Sequence, residues 1–300
     1  DPVAKFWDSF AQEGKEEITV RQLLSHEAGL AQAMPRDGLD PMLDFDAMVR
    51  FVAGAKPQEE KVGAFEYHAI SYCWLVGGLI QGATGQSLAD FVRAEVLSPL
   101  GIEDDAHLGV PRAIVEGNER LASVCLPSLM RDSGSSQEGG SVFRQNPSVF
   151  NMDKVREAVI PSANAHMTSR AIAAFYDGLF GQAEGKTPIL SSETKERILA
   201  QSRVLAPQGA GQLENSAGLT RRQGLGFQVF VFSSSGGNGD VGVPVIGHLG
   251  FGGSVGFTIP SESVSVGVAV NALDLSAKGS CSAALVTEIA AHFGLQPQQL

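Results

Sequence analysis

Val264-Ser265-Val266-Gly267-Val268-Ala269-Val270 alternates without a break. A period of two sets four valines on one side of an extended chain, so this stretch is expected to be a strand with one face buried. Working outward, Pro260-Ser261-Glu262 reads as a turn, and residues 254 to 259 as the strand before it. Further upstream a strand runs into His248. The stretch from Ser234 to Asp240 is a hairpin signal, and Phe227 to Phe232 is a mainly apolar run that suits a buried strand. Downstream, residues 282 to 293 are expected to close the chain as a helix.

The earlier part has a different period. Thr19-Val20-Arg21-Gln22 is a capping box: Thr19 can accept from the N3 amide while Gln22 reaches back. That helix is expected to be short and to stop at Gly29. Residues 72 to 83 are apolar and glycine-rich, a helix expected to pack closely on all sides. Ser87 starts another, with Leu88, Phe91, Val92 and Val96 on one face and Pro99 ending it. Thr168 caps a helix expected to run to about residue 180. Helices first, then an antiparallel meander, then a terminal helix is an α+β order. Neither G-x-G-x-x-G nor a Walker loop occurs. Residues 131–148 and 205–223 are polar, Gly-rich and aperiodic, and read as loops. The expectation is a single domain over 1–300. Residues 1–223 would be mainly helical, and 224–300 would be strands plus the last helix.

Composition narrows the partners. With 22 basic and 33 acidic residues, the formal charge of −11 argues against nucleic acid and anionic membrane surfaces. No run of 18 apolar residues codes a membrane span. Three widely spaced cysteines, Cys73, Cys125 and Cys281, with no C-x-x-C, suit reduced thiols and a reducing compartment better than a disulfide framework. Cys73, in an apolar stretch, reads as a small buried hydrophobe. His68, His107, His166 and His292 lack metal-ligand spacing with each other or with a cysteine, so no metal and no cofactor is expected.

Two short motifs carry candidate chemistry. Tyr67-His68-Ala69 precedes the small-residue helix, and Gly247-His248-Leu249-Gly250-Phe251-Gly252-Gly253 lies between strands. Taken alone, Tyr67 reads as a packed aromatic whose hydroxyl finds a backbone partner, and His248 as a satisfied strand histidine. Ser192-Glu193-Thr194-Lys195 matches S-x-x-K literally, but it sits in a charged segment. There Ser191 or Ser192 is expected to cap an exposed helix with Glu193 in its first turn.

The chain resembles the β-lactamase-related serine hydrolases: class C β-lactamases, D-Ala-D-Ala peptidases and related esterases. The likeness runs in order through Asp1-Pro2-Val3 and Ile18-Thr19-Val20-Arg21-Gln22-Leu23-Leu24-Ser25-His26-Glu27-Ala28-Gly29-Leu30 to Tyr67-His68-Ala69. It continues through Thr84-Gly85-Gln86-Ser87, Pro99-Leu100-Gly101-Ile102, Gly247-His248-Leu249-Gly250 and Val270-Asn271. The resemblance implies a helical region packed on an antiparallel sheet, and hydrolysis of a small-molecule ester or amide through an acyl-serine.

Tyr67 matches the tyrosine of the family's Y-x-N motif and would be base and then acid. A phenol of pKa near ~10 needs a neighbouring cation to favour its phenolate for that work. His248 stands where K-T-G has its lysine, as in related esterases with H-x-G, and would be its electrostatic partner. The Phe251 N–H would be an oxyanion donor, and Gly250 would let substrate approach the strand. Asn164 lies in a loop that approaches the pocket in relatives, so it is a candidate substrate contact; a turn-stabilising Asn is the other reading. His26 is expected to be structural, meeting carbonyls at a helix end.

Two departures matter. Ala69 replaces an amide able to hold a substrate carbonyl, which argues against efficient β-lactam chemistry. The family's nucleophile is the serine of S-x-x-K, expected here before Asp1 together with the first sheet strands. These residues are therefore expected to be part of a longer enzyme and inactive alone. The alternative is a non-catalytic interaction or regulatory domain, covalently fused to an upstream domain such as an atypical kinase-like protein.

Overall fold

In the computed structural model, the residues described are 1–35, 38–117, 120–126, 143, 146–181, 189–204, 221–234, 242–274 and 281–297. The chain divides into two compact units, Asp1–Val124 with Ser135–His166, and Cys125–Gly134 with Met167–Leu300.

The first unit is helical. Its helices are α1 (Val20–Leu24), α2 (Phe45–Gly54), α3 (Ser71–Thr84), α4 (Leu88–Val92), α5 (Arg112–Gly117) and α6 (Asp153–Glu157). The capping box on α1 is complete: Thr19 Oγ1 accepts from the Gln22 N–H, and Gln22 Oε1 accepts from the Thr19 N–H. The helix ends at Leu24 rather than near Gly29, because His26 turns left-handed at φ 60° and the Glu27 N–H returns to Gln22 O. α3 packs on its sides as its glycines foretold. A Cβ on Gly78 would lie 2.3 Å from the Trp7 ring, and one on Gly82 2.3 Å from Phe6 O. Its stop is Gly85, at φ 73°. α4 is capped by Ser87 as expected, but Pro99 does not end the helical path. The path continues as a π turn through Leu97 and a final turn Ser98–Leu100, with Pro99 in that turn's opening positions, where its missing N–H costs little, and Gly101 at φ 65° as the stop.

The second unit is a sheet with helices on both faces. Strands β1 (Arg203–Val204), β2 (Arg221–Gln223), β3 (Gln228–Ser234), β4 (Gly242–Leu249), β5 (Val255–Ile259) and β6 (Val264–Val268) pair antiparallel in that order. β7 (Leu295–Pro297) joins beside β3. Helices α7 (Ser169–Phe180), capped by Thr168, and α8 (Ser192–Ala200) supply Tyr176, Leu179, Phe180 and Ile198 to a cluster with Ile246. α9 (Cys281–His292) packs Ala283, Val286 and Ala290 against Phe230, Phe232, Val245 and Phe257.

Of the four alternating valines, Val266 and Val268 pack, partly buried, on the α9 side, and the strand stops at Val268, short of the expected Val270. The other face is covered too. Gly267 has no side chain, so the α7 backbone comes in until a Cβ would meet Ser169 O at 2.2 Å. β1, β2 and β7 were not visible as strands because each is two or three residues long. The expected 131–148 loop lies outside the described residues apart from 143 and 146–148. The 205–223 loop lies outside them to 220, and its last three residues are β2. The hairpin signal from Ser234 lies outside them after its first residue.

Candidate active site

In the helical unit, Tyr67 is held through its neighbours. The Glu66 N–H donates to His26 O at 2.9 Å, and the His68 N–H donates to His26 Nδ1 at 3.2 Å. One residue thus grips the backbone on both sides of Tyr67. The His26 ring also lies 4.9 Å from the Tyr67 ring and 4.4 Å from the Tyr72 ring, between centroids. The His26 ring, expected to meet helix-end carbonyls, accepts an amide from this loop.

His68 is buried and fixed in one tautomer. The Leu30 N–H donates to Nε2 at 3.1 Å, so the ring proton sits on Nδ1 and goes to Glu66 O at 2.6 Å. Burial pushes its pKa down to about 4, against a smaller upward pull from the Glu66 carbonyl. The imidazole is a neutral brace.

The two tyrosines differ. Tyr72 is half-buried, donates to Leu24 O at 3.3 Å, and has its phenol pKa pushed far up by desolvation first and by the Tyr67 phenol second. Tyr67 is 43% exposed. Of the pair, Tyr67 is the one solvent or substrate can reach.

Asn164 is 2% exposed, and its amide is engaged locally. Oδ1 accepts from the Ile160 N–H, while Nδ2 donates to Val155 O and Ala158 O. It does the work of the turn-stabilising Asn, and its side chain is not presented as a substrate contact. Cys73 is buried, and burial raises its thiol to about 11, which suits an inert core residue.

In the sheet unit, His248 sits near the end of β4. Its Nδ1 is 3.0 Å from Leu249 O and its Nε2 is 3.3 Å from Gln228 Nε2, while Gln228 Oε1 accepts from the Leu249 N–H at 3.0 Å. Gly250 donates its N–H to Ser254 O at 2.7 Å, and a Cβ there would lie 2.8 Å from that oxygen. Gly250 is therefore required by the β4–β5 turn itself. Phe251 stands at the tip of that turn with its ring 43% exposed, and its N–H takes no acceptor among the described residues. Ser282 Oγ donates to Gly253 O and anchors the turn to the start of α9.

Ser192 is exposed on the first turn of α8. Ser191 Oγ accepts from the Thr194 N–H, so this literal S-x-x-K is a capped surface helix. Among the described residues no group of three His, Cys, Asp or Glu could hold a metal ion. None of their helices is long and apolar enough to cross a membrane. Sequence reasoning missed Gln228 and the bracing role of His68. The signal for Gln228 was present, a lone polar residue inside the apolar run from Phe227 to Phe232.

The Beta-lactamase family description matches residues 1–288. The chain belongs to the beta-lactamase family. A curated relative, Esterase/beta-lactamase LipL of Mycobacterium tuberculosis, is 29% identical over 292 residues, covering 91% of this chain and 63% of the relative. The chain thus spans less than two thirds of that relative's length. The crystal structure of a family VIII carboxylesterase superposes with a TM-score of 0.74 at 27% identity, over 97% of this chain and 75% of that one. A penicillin-binding protein homolog from Caulobacter crescentus gives 0.67 at 26% identity, over 91% and 70%. The beta-lactamase-like fold with helices and an antiparallel sheet, read from the motifs, is the fold of these relatives, which carry esterase and penicillin-binding-protein-like names.

Proposed function

We propose that this family member serves a serine hydrolase that cleaves small esters or amides through an acyl-serine. Its nucleophile would come from an S-x-x-K segment outside residues 1–300. The observation that carries this reading is Tyr67: an exposed phenol whose flanking amides are both held by His26, beside a half-buried Tyr72 kept protonated. Such a loop keeps one phenol reachable and its backbone rigid, as a proton-transfer residue requires.

In the reaction, the Tyr67 phenolate takes the serine proton as the oxygen attacks the acyl carbon. The Phe251 N–H, unpaired among the described residues, stabilises the oxyanion. Tyr67 then returns the proton to the leaving alkoxide or amine, and water releases the acyl group by the same steps. His248 orients the substrate. Ala69 supplies no amide for a substrate carbonyl, which favours short acyl esters over β-lactams. The partner in this reading is a small-molecule ester or amide; the formal charge of −11 disfavours nucleic acid.

The test uses the longer protein carrying the S-x-x-K segment. Tyr67→Phe is expected to lower kcat on a short acyl ester by ~10²-fold or more, the scale of lost general acid–base catalysis. Unchanged turnover would remove Tyr67 from proton transfer. A longer protein with no turnover on any ester or amide would favour the non-catalytic reading.

A further inference from the structure

Gln228 opens β3 with a buried amide, 3% exposed, between the apolar side chains of that strand. Burying an amide there is costly unless its atoms are spoken for, and here they are. The Leu249 N–H, 3.0 Å from one end of the amide, can only donate, so that end is the oxygen. The other end is then the NH₂ group, which can only donate, and it lies 3.3 Å from His248 Nε2. Nε2 must therefore accept. On the far side of the ring, Nδ1 is 3.0 Å from Leu249 O, a carbonyl that can only accept. Nδ1 must therefore carry the proton. Three contacts, two of them to the Leu249 backbone, agree on one arrangement.

We propose that Gln228 is a positioning residue that holds His248 as the neutral, Nδ1-protonated imidazole. A second proton on Nε2 would point at the Gln228 NH₂ hydrogens, so the same amide that orients the ring disfavours a cation at this place. His248 then offers an acyl substrate a fixed dipole and no full charge. A substrate bearing a carboxylate gains nothing from this position, whereas an uncharged ester loses nothing. This substrate preference rests on the proposed function, in which His248 faces the reaction; the hydrogen-bond assignment does not.

The experiment is long-range ¹H–¹⁵N correlation on histidine-labelled protein of residues 1–300 at pH 8. His248 is expected to show a protonated Nδ1 and a bare Nε2. Gln228→Glu keeps an acceptor for the Leu249 N–H but turns an acceptor toward Nε2, and is expected to add a proton on Nε2 while Nδ1 keeps its own toward Leu249 O, giving the imidazolium. If Gln228→Glu does not fold, Gln228→Met, apolar and similar in length, removes the donor facing Nε2 and is expected to let Nε2 take up a proton at a higher pH than in the parent, with Nδ1 still protonated toward Leu249 O. A wild-type ring protonated on Nε2, a Gln228→Glu ring still bare at Nε2, or a Gln228→Met ring that takes up its second proton at the same pH as the parent, would overturn the assignment. In the longer protein, the second ring proton in Gln228→Glu is expected to lower kcat on a neutral ester about tenfold or more, with KM moved less. An unchanged kcat despite a protonated Nε2 would refute the part given to His248 in the reaction and leave the role of Gln228 standing.

Discussion

His68 makes the helical unit sensitive to acid, and the sign and size follow from its environment. Its folded pKa is about 4, against 6.5 for an unperturbed imidazole. Between those values the unfolded chain binds a proton that the folded chain refuses, so stability is full above pH 6.5 and falls as pH drops toward 4. At one proton the slope is about 1.4 kcal/mol per pH unit, which gives a loss of about 2 kcal/mol from pH 7 to pH 5 and about 3 kcal/mol by pH 4. That is a sizeable part of a typical 5–15 kcal/mol domain stability, given as roughly that range.

The assay is urea unfolding followed by tryptophan fluorescence. The chain has two tryptophans, Trp7 and Trp74, and both are buried in the helical unit, so the signal reports that unit. His68→Leu removes the titration and leaves the Leu30 N–H without its acceptor. It should lower stability at pH 7 by about 1–3 kcal/mol, the cost of an unmade buried hydrogen bond. It should also flatten the pH 7 to pH 5 difference by about 2 kcal/mol relative to the parent. Equal pH dependence in the two proteins, or an imidazole resonance of His68 that titrates near its unperturbed value, would refute the reasoning.

Three further expectations concern packing, edges and reactivity. Gly78→Ala places a Cβ 2.3 Å from the Trp7 ring, so the variant should lose about 1–3 kcal/mol and shift the tryptophan emission; a neutral substitution would mean that Trp7 moves aside freely. The outer edge of β6 pairs with no strand among the described residues, and no charge lies between Ser263 and Asn271. Protein of residues 1–300 should therefore elute partly as soluble aggregate, and a longer protein supplying a strand to that edge should not; a monodisperse monomer of 1–300 would show the edge to be protected. A fluorophosphonate probe should label no serine of residues 1–300 above background, and stoichiometric labelling of Ser192 would reverse the reading of α8 as a capped surface helix.

Much of this molecule was written locally. The capping box at Thr19, the cap at Thr168, the valine alternation of β6 and the glycine stop after α3 each depend on residues within a few positions of one another, and each appears where its pattern lies. The family followed from motifs in order along the chain, because a motif needs only spacing to be recognised. Other features belonged to the tertiary structure alone. Gly267 reads as a gap in a valine pattern, yet it is the point where α7 backbone meets the sheet. Nothing near residue 66 reveals that His26, forty residues earlier in the chain, accepts the amide that fixes the Tyr67 loop. The proton of His248 is decided by a glutamine one strand away. A side chain's tautomer, burial and reach depend on which donors and acceptors surround it in space. Sequence lists those groups, but only the packing of strand on strand and loop on helix determines which of them meet.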